Sequence, residues 1–249
     1  MSDANITGSR QLYVDPRPVK RDEHANLGLM QTRSPYGFAA ETHLVPITAG
    51  EIAEVSAHYP VVFMGEAHVP AAALSLQEGQ NPFVASSGVW REGSYVPAFL
   101  RQYPFAIATA GEEDPILCVD TACDRLTEDN PDDPFFVNDE PSELLRRAMT
   151  LCQQVETDRQ RTEALVRELD TLGLFTSITL RFPRIGPAEE PLSFEIKGID
   201  HERLAQLGDK EKARLIDDGL ISLIVGWQFS QRHWPTIAKL GFEAHGNSS

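Results

Sequence analysis

The aromatic segment NPFVASSGVWREGSYVPAFLRQYPF, residues 81–105, constrains the fold of this chain more than any other stretch. It holds six of the 20 aromatic residues in the sequence. These are Phe83, Trp90, Tyr95, Phe99, Tyr103 and Phe105. Three prolines, two glycines and two arginines lie between the rings. Such a density of rings and turn residues predicts a packed, turn-rich surface.

Upstream of the aromatic segment, the sequence predicts short strands and turns. Residues 43–63 predict a short strand, a helical turn that begins near Thr48, and a strand over Val61–Met64. Thr48 and Glu51 have the spacing of a capping box, in which each side chain satisfies a backbone amide of the other. Residues 71–76 fit either a strand or a short helix, because periodicity cannot decide over so few residues.

Downstream, residues 105–110 and 116–119 predict two strands that are joined by the acidic turn GEEDP. A long helix is then expected over about residues 139–173, with apolar side chains three or four positions apart and Gly173 as its stop. Asp158, Arg159 and Thr162 interrupt its apolar face, so we expect a kink or a break there.

The last part of the chain predicts a hairpin and several helices. Strands over residues 177–182 and 192–196 flank a loop at 183–191, and helices are expected over 200–207, 209–217 and 220–240, with Pro235 as a kink or boundary. The order of elements predicts an α+β fold: a mostly β N-terminal region with short helices, a long central helix, a β-hairpin and C-terminal helices. Residues 1–25 are predicted to be a flexible segment, and residues 26–249 a single domain.

Composition indicates a soluble globular protein, with 249 residues, 41% hydrophobic and 24% charged. The apolar stretch at 220–227 is too short to cross a membrane, so no membrane insertion is expected. The N-terminus shows no secretory signal, which favours a cytoplasmic location. Cys118, Cys123 and Cys152 form no CxxC pair, so we expect reduced thiols and no metal site.

The net charge of −15 is concentrated in one acidic stretch, residues 112–143. That stretch holds twelve acids and a single base, Arg125. Nucleic-acid binding is disfavoured, because it needs a basic footprint, and an anionic membrane surface would repel the chain. The run TEDNPDD, residues 127–133, lacks the alternating ligands and the glycine of an EF-hand loop and predicts a solvated acidic loop. Binding of a cation or of a protein by the acidic stretch stays open.

The pattern N-x-F-V-x-x-x-G-x-W…Y-V-P-A-x-L-R-x-Y-P-F in the aromatic segment resembles the signature of the SapC family of bacterial proteins. Further matching runs are HYPVVFMG, PFFVNDEPSELL and DDGLISLIVGWQFSQRHWPTIAKL, which extend the resemblance over about residues 40–240. The chain departs from the pattern at Ala85, where an acid is expected, and at Gln102, where a second arginine is usual. Ligand contacts at these two positions would therefore differ from those in relatives.

The resemblance implies an accessory role in which the chain binds a small molecule, a peptide or a partner protein. Members of the family tend to be encoded near outer-membrane TonB-dependent receptors, flavin-dependent halogenase-like proteins and iron-dependent hydroxylases. This neighbourhood implies participation in the uptake or modification of a peptide, amino acid or sugar, with a flavoprotein or hydroxylase as partner. The family name itself derives from a link to surface-layer proteins, which gives a surface-layer role as another alternative. No catalytic residues are carried over from the family, because family likeness alone does not fix a function.

Catalytic signatures are mostly absent from the sequence. It contains neither a G-x-S-x-G elbow nor a P-loop. His201 and Glu202 begin like an H-E-x-x-H zinc motif, but Ala205 stands in place of the second histidine. We therefore predict no cofactor and lean towards a non-catalytic protein. An enzyme with an uncharacterised site, acting on an amino acid, peptide or sugar, is the alternative.

A binding constellation is predicted within the aromatic segment. Its members are Trp90, Arg91, Tyr95, Arg101 and Tyr103. Arginine can hold a carboxylate through two hydrogen bonds and aromatic rings supply flat walls, which would suit an amino acid or peptide. The competing interpretation places the rings in the core and pairs Arg101 with the acidic stretch.

A second candidate lies in the C-terminal helical region, where His233 sets a titratable ring beside the large indole of Trp234. The alternative there is a packed helix end.

Overall fold

The computed structural model describes residues 12–108, 114–182 and 192–246, and these residues form two compact units. Unit one takes in the described residues up to Ala39, Val84–Trp90 and Ala98–Thr157. Unit two takes in Ala40–Phe83, Arg91–Pro97 and the described residues from Asp158 onwards. The aromatic segment therefore contributes to both units. Residues 1–11, most of the predicted acidic turn and the predicted loop at 183–191 lie outside the described residues.

Strands and helices are mixed along the chain. The strands are β1 (Pro16–Pro18), β2 (Gly28–Leu29), β3 (Leu44–Pro46), β4 (Val61–Met64), β5 (Val69–Ala73), β6 (Phe105–Ala108), β7 (Ile116–Asp120), β8 (Leu126–Thr127), β9 (Asp133–Pro134), β10 (Phe136–Val137), β11 (Glu140–Pro141), β12 (Phe175–Phe182) and β13 (Leu192–Ile199). The helices are α1 (Arg21–His24), α2 (Ile52–Ser56), α3 (Ala98–Arg101), α4 (Glu143–Thr171), α5 (His201–Ala205), α6 (Asp209–Asp217), α7 (Leu220–Ser230) and α8 (Trp234–Gly246). The strands form several small sheets, which confirms the predicted α+β class.

Unit two contains a five-stranded antiparallel sheet in the order β12-β13-β4-β5-β3. The predicted hairpin is present and longer than expected, with Phe175 opposite Ile199 and Phe182 opposite Leu192. Strand β5 takes in residues 71–73 of the ambiguous stretch 71–76, and residues 74–76 are neither strand nor helix. Alanines of β5 leave room for larger side chains, and a core cluster forms around them. Its buried members are Val62, Ala71, Ala73, Phe182, Trp234 and Ala238.

Unit one contains two three-stranded sheets, β1-β7-β6 and β8-β2-β9. Apolar side chains of these strands and of the first turns of α4 form its core. The buried members are Leu29, Phe105, Ile107, Leu117, Val119, Phe135, Leu145, Ala148 and Cys152. Strand β1 is held at its start by Asp120, whose buried carboxylate accepts the N–H groups of Val14 and Asp15 at 3.0 and 2.8 Å. The division into a flexible segment, residues 1–25, and a single domain stays a prediction.

Helix α4 is continuous over 29 residues and about 44 Å, so the expected break is absent, whereas the expected kink stays a prediction. The reason lies in Thr162, which is buried but fully engaged. Its hydroxyl donates to the Asp158 carbonyl at 2.6 Å and accepts the Ala49 N–H at 2.8 Å. A polar residue on the apolar face therefore costs little, since it satisfies the backbone of a neighbouring segment.

Local capping signals explain the shorter elements. The Thr48 N–H donates to Glu51 Oε1 at 3.1 Å, and the Asp200 carboxylate accepts the Arg203 N–H at the start of α5 at 2.9 Å. The helix expected over 220–240 is divided by a 3₁₀ turn at Gln231–His233, so that Pro235 falls in the first turn of α8. Across the described ranges, no helix is both long and apolar enough to span a membrane.

Candidate functional site

Six aromatic rings of unit one contact one another in a continuous chain, the aromatic array. In order of contact they are Trp90, Tyr36, Phe38, Tyr103, Tyr13 and Phe99. The tightest contact stacks Phe38 on Tyr103, with ring centroids 4.1 Å apart and an interplanar angle of 24°. The other centroid distances lie between 5.6 and 6.3 Å. These are ordinary separations for attractive ring pairs.

A tight approach of two loops brings Tyr36 to Trp90. The Tyr36 N–H donates to the Gly88 carbonyl at 2.9 Å, and a 3₁₀ turn at Gly37–Ala39 follows. Gly88 has a φ of 74°, and a Cβ placed on it would lie 1.6 Å from Ser34 Oγ. Only glycine fits there, because it adopts the left-handed backbone conformation without strain and has no Cβ to collide with Ser34.

Helix α3 and the residues after it supply the other end of the aromatic array. Phe99 lies on α3, and Tyr103 follows before β6 begins. The Tyr13 hydroxyl donates to the Phe105 carbonyl at 2.8 Å, so the chain before β1 is fastened to the start of β6. Tyr13 also contacts both Phe99 and Tyr103, which makes it the junction of the array.

The rings of the aromatic array differ in exposure. Trp90 and Phe99 are buried, whereas Tyr13, Tyr36, Phe38 and Tyr103 are half-buried and keep part of their surface in solvent. Burial raises the pKa of Tyr13, and the nearby Cys152 thiol adds to the effect. Burial likewise raises the pKa of Tyr103, with further contributions from Cys123 and Asp120. Both phenols therefore stay protonated at neutral pH and act as hydrogen-bonding groups rather than as bases.

Two of the predicted site residues, Trp90 and Tyr103, thus belong to one array. Arg101 stands two positions before Tyr103, at the end of α3, and is exposed. Gln102, where the family pattern usually has arginine, is buried and hydrogen-bonds to the side chain of Tyr13. The departure at this position therefore supports the ring packing.

Arg91 and Tyr95, the other predicted members of the constellation, lie in unit two. Arg91 is exposed, and its N–H donates to the Phe83 carbonyl at 2.7 Å. The Tyr95 hydroxyl donates to Glu51 Oε2 at 2.9 Å, while its backbone carbonyl accepts the Tyr59 hydroxyl. Tyr95 thereby gives the buried carboxylate of Glu51 a polar partner.

His233 and Trp234 are each engaged within unit two. Trp234 is buried in the core cluster beside Phe182, and its indole N–H donates to Gln231 Oε1 at 2.9 Å. The His233 Nε2 atom lies 3.0 Å from the Ser56 carbonyl. Burial lowers the pKa of His233, the bond to Ser56 opposes this, and Arg232 and His58 lower the value further. The arrangement favours a neutral imidazole at physiological pH.

All three cysteines are free and buried. Burial raises the pKa of Cys118 to about 11 and that of Cys152 to about 12, and it also raises that of Cys123. Protonated thiols are poor nucleophiles and poor metal ligands. Over the residues for which the structure gives positions, no group of three or more His, Cys, Asp or Glu side chains is arranged to hold a metal ion.

Sequence reasoning missed four members of the aromatic array: Tyr13, Tyr36, Phe38 and Phe99. Tyr13 falls in the segment that was expected to be flexible. Tyr36 and Phe38 flank Gly37 just after the turn-forming pair Ser34-Pro35, and this alternation of rings around a glycine is the signal that could have marked them. Phe99 lies inside the aromatic segment but carries no polar group to suggest binding.

A family-model comparison matches residues 19–237 to SapC, so the chain belongs to the SapC family. The match begins earlier than the predicted resemblance and includes Tyr36, Phe38 and the whole aromatic segment. Searches of curated proteins and of solved structures find no match.

Proposed function

We propose that this SapC-family protein is a cytoplasmic, non-catalytic accessory protein that binds an amino acid or peptide through the aromatic array. In this proposal it serves an uptake or modification system linked to TonB-dependent receptors and halogenase-like flavoproteins, with a flavoprotein or hydroxylase as its partner. The partial exposure of four contacting rings is the observation that supports the binding role most strongly.

The chemistry of the array favours binding over catalysis. The raised pKa values of Tyr13, Tyr103 and the three cysteines leave these groups protonated at neutral pH, without a base or a thiolate nucleophile among them. Half-buried rings instead offer flat faces that attract other rings and cations. Their positions are fixed by Gly88 and by the Tyr13 hydrogen bond, so little conformational entropy is lost when a ligand binds.

Charge indicates which ligands are favoured. The chain carries a net charge of −15, and the described part of the acidic stretch belongs to unit one. A ligand that combines an aromatic side chain with a basic group would gain from both the rings and this field. An acidic ligand would be repelled by the same charge.

The proposal is tested by a thermal-shift screen with amino acids, short peptides, sugars and divalent ions. We expect the largest stabilisation from peptides that contain tryptophan and arginine, because binding to the native state raises the melting temperature. Removing one ring by Phe38→Ala should weaken binding by about tenfold, since a ring contact contributes about 0.5–1.5 kcal/mol beyond its buried area.

Two control variants separate binding from folding. Tyr103→Phe keeps the ring that stacks on Phe38 and should retain most of the affinity. Phe229→Ala removes an exposed ring of unit two and should leave the affinity unchanged. Stabilisation by sugars or ions alone, or equal losses from Phe38→Ala and Phe229→Ala, would contradict the proposal.

A further inference from the structure

Helix α7 is apolar on both its faces, although only one face is buried. The buried face carries Leu220, Leu223, Ile224 and Trp227, none more than 3% exposed. The opposite face carries Ile221, Val225 and Phe229, which are 37, 38 and 56% exposed. These three residues are four positions apart and form one stripe along the helix, the α7 stripe. A contiguous apolar stripe in water is typical of an interaction surface.

The residues around Val225 are complementary under a two-fold rotation. Ile221 and Phe229 lie four positions before and after it, and exposed Ser222 and Gln228 lie three positions away. In an antiparallel pair of α7 helices centred on Val225, each Ile221 therefore meets the Phe229 of the other copy. Each Ser222 likewise meets a Gln228 with which it can form a hydrogen bond.

The charges follow the same symmetry. Exposed Asp218 stands seven positions before Val225, and exposed Arg232 stands seven positions after it. Arg232 lies at the end of the α7 stripe, because its Cζ is 5.9 Å from the centroid of the Phe229 ring. The distance between Asp218 Oδ2 and Arg214 Nε is 3.8 Å, and both side chains are about half exposed. This ion pair is weak, so the Asp218 carboxylate can still interact with a second copy. Asp218 lies two residues before the start of α7 and Arg232 two residues after its end, so antiparallel packing brings the end of α7 next to Asp218 in each copy to the end next to Arg232 in the other. The dipoles of the two helices then point in opposite directions, which is favourable.

We propose that the α7 stripe is a homodimer interface in which two copies of this chain pack their α7 helices antiparallel about Val225. A helix of eleven residues is about 16 Å long, and a standard stable interface buries about 800 Å² on each partner. The α7 stripe supplies only part of that area, so the dimer is weak and concentration-dependent. A lipid surface fits less well, because Asp217 and Asp218 are exposed at one end of the stripe.

Sedimentation velocity across a concentration series tests the proposal on the full chain. The native protein should shift from monomer to dimer as concentration rises, and Val225→Asp should raise the dissociation constant by more than about tenfold, because it buries two like charges at the two-fold axis. Val137→Asp is the matched control, since Val137 is 50% exposed in unit one and should not affect dimerisation. A monomer at every concentration would overturn the proposal.

Charge exchange and cross-linking test the register. Asp218→Arg and Arg232→Asp should each weaken the dimer, and the double variant should restore it, an outcome that loss of folding cannot produce.

Two helices packed at about 8–10 Å bring facing Cα atoms to about 5 Å, within the range for a disulfide. Val225→Cys should therefore form a disulfide-linked dimer on oxidation, whereas Val137→Cys should not. A dimer that persists in Val225→Asp, or a double variant that stays monomeric, would refute this interface.

Discussion

In unit one, Tyr13, Tyr36, Phe38 and Tyr103 contact one another and remain partly exposed, whereas most of the described rings of unit two are buried. The unit-two rings that are at most 9% exposed are Tyr59, Phe63, Phe83, Phe182, Trp227 and Trp234. A buried ring contributes to stability through the area that it removes from water. A half-buried ring contributes less but keeps a face for a ligand. On this contrast rests our proposal that unit one binds the ligand, while the rings of unit two have a mainly structural role.

The largest expected effect comes from breaking the loop contact that positions Tyr36. Gly88→Ala should destabilise the protein by about 3 kcal/mol or more, because the new Cβ meets Ser34 at a left-handed backbone position. Chemical denaturation followed by circular dichroism measures the loss.

Gly93 provides the matched control for this substitution. It has the same φ of 74°, but a Cβ placed on it has no neighbour within 4 Å, so Gly93→Ala should cost only about 1–2 kcal/mol. If the two variants lose equal stability, the tight contact between the loops does not hold the aromatic array together.

A smaller effect is expected in unit two from Thr162→Val on helix α4. The variant removes the acceptor of the Ala49 N–H and should lower the free energy of unfolding by about 1–2 kcal/mol. Thr157→Val on the same helix removes only an exposed hydroxyl and should be nearly neutral. Ligand affinity should not change in either variant. A loss of affinity in Thr162→Val would contradict the proposal that the ligand binds to unit one alone.

The smallest effect concerns pH. Burial lowers the pKa of His233 below its unfolded value of 6.5, so the folded state binds the proton more weakly than the unfolded state does. The contribution of neutral His233 to stability is therefore fully present above pH 6.5. It decreases as the pH falls from there through the lower pKa of the folded state. Because His233 is partly exposed, the change in melting temperature should be small. The contribution of His233 is the difference in melting temperature between the native protein and His233→Gln, measured at each pH. We expect this difference to decrease as the pH falls, and an increase on acidification would contradict the prediction.

Local signals in the sequence predict much of the fold. The hairpin β12–β13, the helix α6 and the cap at Asp200 follow from alternation, periodicity and capping within a few residues. The expected break in α4 was wrong because Thr162 is satisfied by Ala49, which lies far away in the chain. The sequence does not reveal such a partner.

The same limit applies to the candidate site. Trp90 and Tyr103 could be selected from the aromatic segment, because their density there is visible in the sequence. Their neighbours Tyr36 and Phe38 come from a distant loop, and ring contacts between distant segments leave no local period. The α7 stripe was equally hidden, because an apolar run gives no sign of which face packs inside.

Binding of a peptide by the aromatic array can be observed directly in a nuclear magnetic resonance titration of the full chain with a short peptide that contains tryptophan and arginine. We predict that the ring resonances of Tyr36, Phe38 and Tyr103 shift together with one dissociation constant, while those of Phe182 and Phe229 stay in place. Shifts confined to rings of unit two, or the absence of any shift at saturating peptide, would contradict it.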